Sequence, residues 1–142
     1  MEMTLYELRP AAKAGRVLLV DDDPDFRGMV GVAFTRAGFT VREAANGNDA
    51  LAILRDSEID LIVTDIIMPE ADGYEVILGL NTLPARPPLI AVSGGSVRLR
   101  MELPTMACLL GADAAFEKPV NLAALLAEAA RLIGERRKGA AP

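Results

Sequence analysis

At 142 residues, with 51% apolar and 25% charged residues, the chain is long enough for one domain with a sizeable core and too apolar to remain disordered. A net charge of −5 argues mildly against a nucleic-acid-binding surface, and a lone cysteine excludes an internal disulfide framework. There is no histidine, which removes Ser-His-Asp triads, His-ligated zinc and phosphohistidine relays from consideration.

Cys108 lies in an apolar helical stretch and reads as inert packing. No apolar run approaches the ~18 residues needed to cross a bilayer. Met1–Gly15 carries charges throughout and has no apolar signal core, so a soluble, cytoplasmic protein without membrane contact is expected.

Residues 1–15 have weak periodicity and read as an N-terminal extension, residues 16–136 as the folded domain and 137–142 as a tail. Arg16–Val20 is an apolar strand that ends in Asp21-Asp22-Asp23. Asp23 is a natural N-cap with Pro24 in the first helical position. Phe26, Met29, Val30, Ala33, Phe34 and Ala37 follow at helical spacing until Gly38 stops the helix.

Phe39–Glu43 predicts a short strand, Ala45-Asn46-Gly47 a turn, and Asn48–Arg55 a helix burying Ala50, Leu51 and Leu54. Ile59–Thr64 is a branched-apolar run without alternation, as expected of a strand buried on both faces, and it delivers Asp65 to its carboxyl end. A helix is expected from about Gly73 to Leu83, and Leu89–Val92 is a fourth strand ending in Ser93-Gly94-Gly95. Pro104 restricts the next helix to about Leu103–Leu110, with 94–102 irregular and Gly111 as C-cap. Ala114–Glu117 is a fifth strand, Lys118-Pro119 a break, and Asn121 caps a last amphipathic helix with a basic end at Arg136, Arg137 and Lys138.

Five strands alternating with five helices through short loops predict an α/β doubly wound parallel sheet. In such a sheet all carboxyl ends open on one edge. Asp21 and Asp22, Asp65, Ser93 and Lys118 therefore converge on one crevice. Three carboxylates there repel one another unless a cation sits among them, and with oxygen ligands alone a hard ion such as Mg2+ is implied. A carboxylate beside Mg2+, an ammonium and a hydroxyl is equipped to accept a phosphoryl group, with Asp65 as the nucleophile.

Val-Asp-Asp-Asp-Pro (20–24), Thr-Asp-Ile-Ile-Met-Pro-Glu-Ala-Asp-Gly (64–73), Ala-Val-Ser-Gly (91–94) and Gly-Ala-Asp-Ala-Ala-Phe-Glu-Lys-Pro (111–119) succeed one another in the order and spacing of a known family. From about Arg16 to Ile133 the chain resembles the receiver domain of two-component response regulators. The resemblance implies a flavodoxin-like (CheY-like) fold with sheet order 2-1-3-4-5. It implies Asp65 as phosphoacceptor, Asp21 and Asp22 as the acidic pair for Mg2+, Ser93 as switch hydroxyl and Lys118 as the family's lysine. The backbone carbonyl of Ile67 would complete the metal site, and the Lys118–Pro119 bond would be cis.

Two departures stand out. The family usually has an aromatic three residues before the lysine, where this chain has Ala115; Phe116 is one place along and points to the opposite face of a strand. The stretch from Ser93 to Gly111 is also longer than usual and contains Pro104.

The expected function is a stand-alone receiver. It would take its phosphoryl group from a histidine kinase or histidine phosphotransfer protein and signal through protein binding on its fourth helix, fifth strand and fifth helix. It would contact no nucleic acid directly and would not itself be an enzyme. One alternative is a small haloacid-dehalogenase-like phosphatase using Asp21; another is a receiver fold used constitutively for interaction.

Overall fold

The computed structural model describes residues 14–65, 79, 82, 85–94 and 111–140. Five strands form one sheet: β1 (Arg16–Val20), β2 (Thr40–Ala44), β3 (Leu61–Asp65), β4 (Leu89–Ser93) and β5 (Ala114–Glu117). All neighbouring pairs are parallel, in the order β2-β1-β3-β4-β5. Three helices belong to the described residues: α1 (Pro24–Arg36), α2 (Gly47–Asp56) and α3 (Leu122–Ala140). The helices expected near 73–83 and 103–110, together with Pro104 and Cys108, fall outside the described residues save for Gly79 and Thr82.

The apolar strands are buried because alternate residues serve two different layers. Leu18, Val20, Ile62, Leu89 and Ala91 face one layer with Ala50, Ile53 and Leu54 of α2. Val17, Leu19, Leu61, Val63, Ile90 and Val92 face the other, against Val30 and Phe34 of α1 and Leu125, Ala129, Leu132 and Ile133 of α3. β3 and β4 are buried at every residue, as unalternating runs in the middle of a parallel sheet require.

Helix boundaries are set by their caps. The Asp23 carboxylate accepts from the Asp25 and Phe26 N–H groups (2.9 and 3.4 Å), with Pro24 starting α1. At the other end Gly38 takes φ +100°; its N–H reaches Thr35 O (3.0 Å) while Phe39 N–H reaches Phe34 O (3.0 Å). This is a Schellman stop, sealed by the Phe34 and Phe39 rings 5.1 Å apart edge to face. It also explains why β2 begins at Thr40 instead of Phe39: the Phe39 amide is used at the helix end.

Other boundaries shift for similar reasons. Asn46 is an N-cap, its side chain accepting from Asp49 N–H (2.8 Å), so α2 starts at Gly47. Asn121 caps α3 through Ala124 N–H (3.0 Å), and α3 runs to Ala140, past the expected boundary at 136, with Arg137 and Lys138 in its last turn. Ala14 and Gly15, expected in the extension, join the fold: Ala14 packs against the core and Gly15 O accepts from Thr40 N–H (2.9 Å).

Within α1 the helical spacing overreaches. Val30 and Phe34 are fully inside, but Met29 is 48% exposed. Phe34→Ala is expected to lower unfolding free energy by about 3–5 kcal/mol, against less than about 0.5 for Met29→Ala. Urea titrations followed by far-UV circular dichroism measure both; similar losses would contradict this burial pattern.

Candidate functional site

The crevice lies at the carboxyl ends of the strands. Asp21 directly follows β1, and its N–H still bonds Ala44 O of β2 (3.1 Å), which keeps the residue in line with the sheet. The chain then turns into α1, and the Asp23 N–H donates back to Asp21 Oδ1 (2.8 Å). Asp65 is the last residue of β3, in register with Val92 of β4. Both carboxylates are buried, at 3% and 4% exposure, whereas Asp22 is exposed.

Lys118 follows β5, and its N–H bonds Ser93 O (2.7 Å). Its side chain crosses the end of β4 at Gly94, where an added Cβ would lie 3.1 Å from Lys118 Cδ. The ammonium then bonds both Asp21 Oδ2 (2.9 Å) and Asp65 Oδ2 (3.2 Å). The Lys118–Pro119 peptide is cis. Burial by itself pushes the Lys118 pKa down, but the hydrogen bond to Asp21 and the charges of Asp65 and Asp21 outweigh it and hold the group above the ordinary lysine range.

Ser93 ends β4 at 1% exposure, and among the described residues its Oγ is the buried side-chain polar atom without a hydrogen-bond partner. Such an orphan costs about 1–3 kcal/mol unless something else satisfies it. Carboxylate oxygens of Asp21, Asp22 and Asp65 all come within 4.8 Å of one another. Three acidic side chains against one ammonium leave surplus negative charge, and an all-oxygen donor set suits a hard divalent cation such as Mg2+. The strand ends thus bring together Asp21, Asp22, Asp65 and Lys118, with Ser93 beside them. Ile67, expected to lend its carbonyl, lies outside the described residues.

The sequence of residues 17–130 matches a family model described as "Response regulator receiver domain". The chain belongs to that family. Receivers of this family are phosphoacceptor signalling modules that interact with histidine kinases or phosphotransfer proteins, and they typically bind Mg2+ through acidic residues.

Among curated relatives, the gliding motility regulatory protein of Myxococcus xanthus is 42% identical over 86 residues. The transcriptional regulatory protein CpxR of Klebsiella pneumoniae is 33% identical over 106 residues. The matches cover 59% and 75% of this chain but only 11% and 44% of those proteins, so this chain spans less than half the length of either. Among solved structures, a CheY-like response regulator receiver domain protein from Methanospirillum hungatei superposes with a TM-score of 0.77 at 28% identity, covering 88% of this chain and 98% of that one. The receiver domain of a Francisella response regulator gives a TM-score of 0.76 at 25% identity, covering 85% and 98%.

Sequence reasoning missed the residues that support this site from α1. Arg27 Nη1 donates to Asp21 O (2.6 Å), and Arg27 Nε is held by Glu43 Oε1 (2.8 Å) on β2. The Phe26 ring lies under the Lys118 ammonium, 4.2 Å from centroid to Nζ. Helical side chains lean toward the N-terminus, so residues in the first turn of α1 overlie the loop bearing Asp21. That direction was the available signal. The strand offset at Ala115 and Phe116 is as expected: Phe116 is half-buried against the α1/α3 layer, and Ala115 packs on the α2 layer.

The raised Lys118 pKa has a stability consequence. Its stabilising contribution is complete below the unfolded lysine pKa of about 10.4 and fades as pH climbs through the higher folded value. In metal-free buffer Lys118→Met is expected to be less stable than wild type at pH 8 by about 1–3 kcal/mol. That gap should narrow in urea titrations carried above about pH 10.4. A gap that stays constant well above that pH would contradict the ion-pair geometry.

Proposed function

We propose that Asp65 is the phosphoacceptor of a two-component phosphorelay. The observation that carries this reading is the buried Asp65 carboxylate, bonded to Lys118 Nζ (3.2 Å) and within 4.8 Å of the Asp21 and Asp22 carboxylates, at the end of the central strand. An Asp65 oxygen attacks the phosphorus of a phosphohistidine on a histidine kinase or phosphotransfer protein; the P–N bond breaks and an acyl phosphate forms.

Asp21, Asp22 and Asp65 would hold Mg2+, with the Ile67 carbonyl as the further ligand the resemblance implies. When bound, that ion neutralises charge on the transferred group. Lys118 supplies a second positive charge beside Asp65. Ser93 Oγ, which has no partner among the described residues, would donate to a phosphoryl oxygen. Autodephosphorylation would be the only other chemistry of the site.

Output runs through protein binding in the cytoplasm. The binding face comprises the expected fourth helix, β5 and α3, and its equilibrium is biased by phosphoryl contacts to Ser93 and Lys118. The relatives named as transcriptional regulators carry such receivers within longer chains, and the partner of this one is unidentified. The phosphatase alternative fares worse because Asp25 stands where that class carries a Thr or Val after its acidic pair.

Intact-mass analysis after incubation with Mg2+ and acetyl phosphate tests the reading. Wild type should gain a single phosphoryl group, and neither Asp65→Asn nor wild type in EDTA should gain one. Ser93→Ala should gain it at least about tenfold more slowly, for loss of one charge-assisted hydrogen bond. An adduct that survives Asp65→Asn but not Asp21→Asn would transfer the nucleophile to Asp21 and sink the proposal.

A further inference from the structure

Lys118 has three N–H donors, and two of them point to carboxylates, Asp21 Oδ2 and Asp65 Oδ2. Phe26 covers the ammonium from another side, its ring centroid 4.2 Å from Nζ. The ring also packs against the α1/α3 side of the core, so it bridges that core and the ammonium. Phe26 is half-buried, whereas Val30 and Phe34, one and two turns on, are fully inside. Its position is fixed locally as well: the Phe26 N–H bonds the Asp23 cap (3.4 Å), and the neighbouring Arg27 is tied to Asp21 O and Glu43.

We infer that Phe26 is a positioning residue for phosphoryl transfer, its π face holding the Lys118 ammonium where Asp65 reacts. The inference rests on the function proposed above. A lysine side chain has four rotatable bonds and must be kept at the reacting oxygen for its charge to count there. Before transfer, the Asp21 and Asp65 carboxylates share this task with the ring. Once Asp65 carries a phosphoryl group, Lys118 has to move with the new charge to a phosphoryl oxygen. The attraction of a cation to a ring face is broad in direction. The ammonium can therefore shift between carboxylate and phosphoryl oxygens without leaving the Phe26 ring, so one contact persists through the reaction while the hydrogen bonds exchange. Asp21, Asp65 and the ring together restrict the ammonium on three sides.

Phe26→Leu keeps apolar bulk and removes the π face; Phe26→Tyr restores the face. The full chain and both variants are phosphorylated with acetyl phosphate and Mg2+, quenched over time and weighed intact, with donor concentration varied. The expected result is a maximal rate about 3- to 20-fold lower for Phe26→Leu with donor half-saturation little changed, and a rate close to wild type for Phe26→Tyr. Urea midpoints of both variants should agree, which separates positioning from folding.

A second measurement does not depend on turnover. In NMR spectra of the metal-free protein the Lys118 ε-methylene protons should be shifted upfield by the ring in wild type and Phe26→Tyr, and should return to ordinary lysine values in Phe26→Leu. Phosphorylated wild type with an unimpaired Phe26→Leu overturns the inference and leaves Asp65 chemistry standing. Equal slowing in both variants overturns it too, since the ring face would then be irrelevant. A wild type that takes no phosphoryl group on Asp65 defeats the proposed function and this inference with it, whatever the methylene shifts show.

Discussion

Taking Asp21 and Asp65 out of water at the ends of adjacent strands has a desolvation cost that two like charges make worse, and the Lys118 ammonium 2.9 and 3.2 Å away offsets it. The rest of the fold serves that contact. Asp21 and Lys118 are 97 positions apart and Asp65 and Lys118 are 53 apart. The parallel order β2-β1-β3-β4-β5 opens all three carriers on one edge. Lys118 starts beyond an outer strand and must cross the end of β4 to reach β3 and β1. Gly94 is where it crosses: a methyl group there would lie 3.1 Å from Lys118 Cδ, so the absent side chain is part of the lysine's path.

In the proposed phosphoacceptor role, the same pairing would make the site responsive. An ammonium already shared between two carboxylates gains little from either one alone, and a change of charge on Asp65 redistributes it. Ser93 would be the complementary element: a hydroxyl buried at 1% exposure, without a partner among the described residues, next to the turn where Lys118 N–H bonds Ser93 O (2.7 Å). A buried donor with nothing to bond is costly, and if a phosphoryl oxygen satisfied it, a small chemical change would acquire leverage over the backbone. Beyond Ser93 the chain has Ala115 where the resemblance would put an aromatic. Ala115 packs on the α2 layer and Phe116 on the α1/α3 layer, so no aromatic at 115 can move with the hydroxyl. In the proposed switch, leverage from Ser93 would pass through β4 and the bond from Lys118 N–H to Ser93 O.

Much of this is legible in the sequence because the relevant signals are local. Unbroken runs such as Leu-Ile-Val-Thr mark strands buried on both faces, and the first charged or hydroxyl residue after each apolar run marks where the strand reaches the crevice. Asp23 and Asn121 announce helix starts through their own backbone bonds, and Gly38 a stop. Asn46 reads as turn rather than cap, because a turn and an N-cap use the same residue type and differ only in the backbone of the residues after it. Other features have no local signature. Arg27 bonds a backbone carbonyl, which any residue could supply, so nothing in the identity of residue 21 announces that contact. Asp60 and Asp113 accept from Arg16 N–H and Leu89 N–H (2.8 and 2.9 Å), pinning the starts of β1 and β4 across 44 and 24 positions. Both look like ordinary surface acids in the sequence.

The first turn of α1 shows how a helix can belong to a site without contributing a reacting group. Its N-terminus faces the acidic loop, and the partial positive charge there favours the carboxylates of Asp21 and Asp22. Asp23 caps it, which fixes the rotation of the helix about its axis. That rotation, given about 100° per residue, determines that position 26 overlies the ammonium and position 27 reaches the Asp21 carbonyl. Farther along, the same rotation buries Val30 and Phe34 against the sheet, so the core holds the helix against any twist that would lift Phe26 from Lys118. The packing of α1 and the placement of the charge are in this sense one constraint, set at its start by a single cap and enforced along its length by the core.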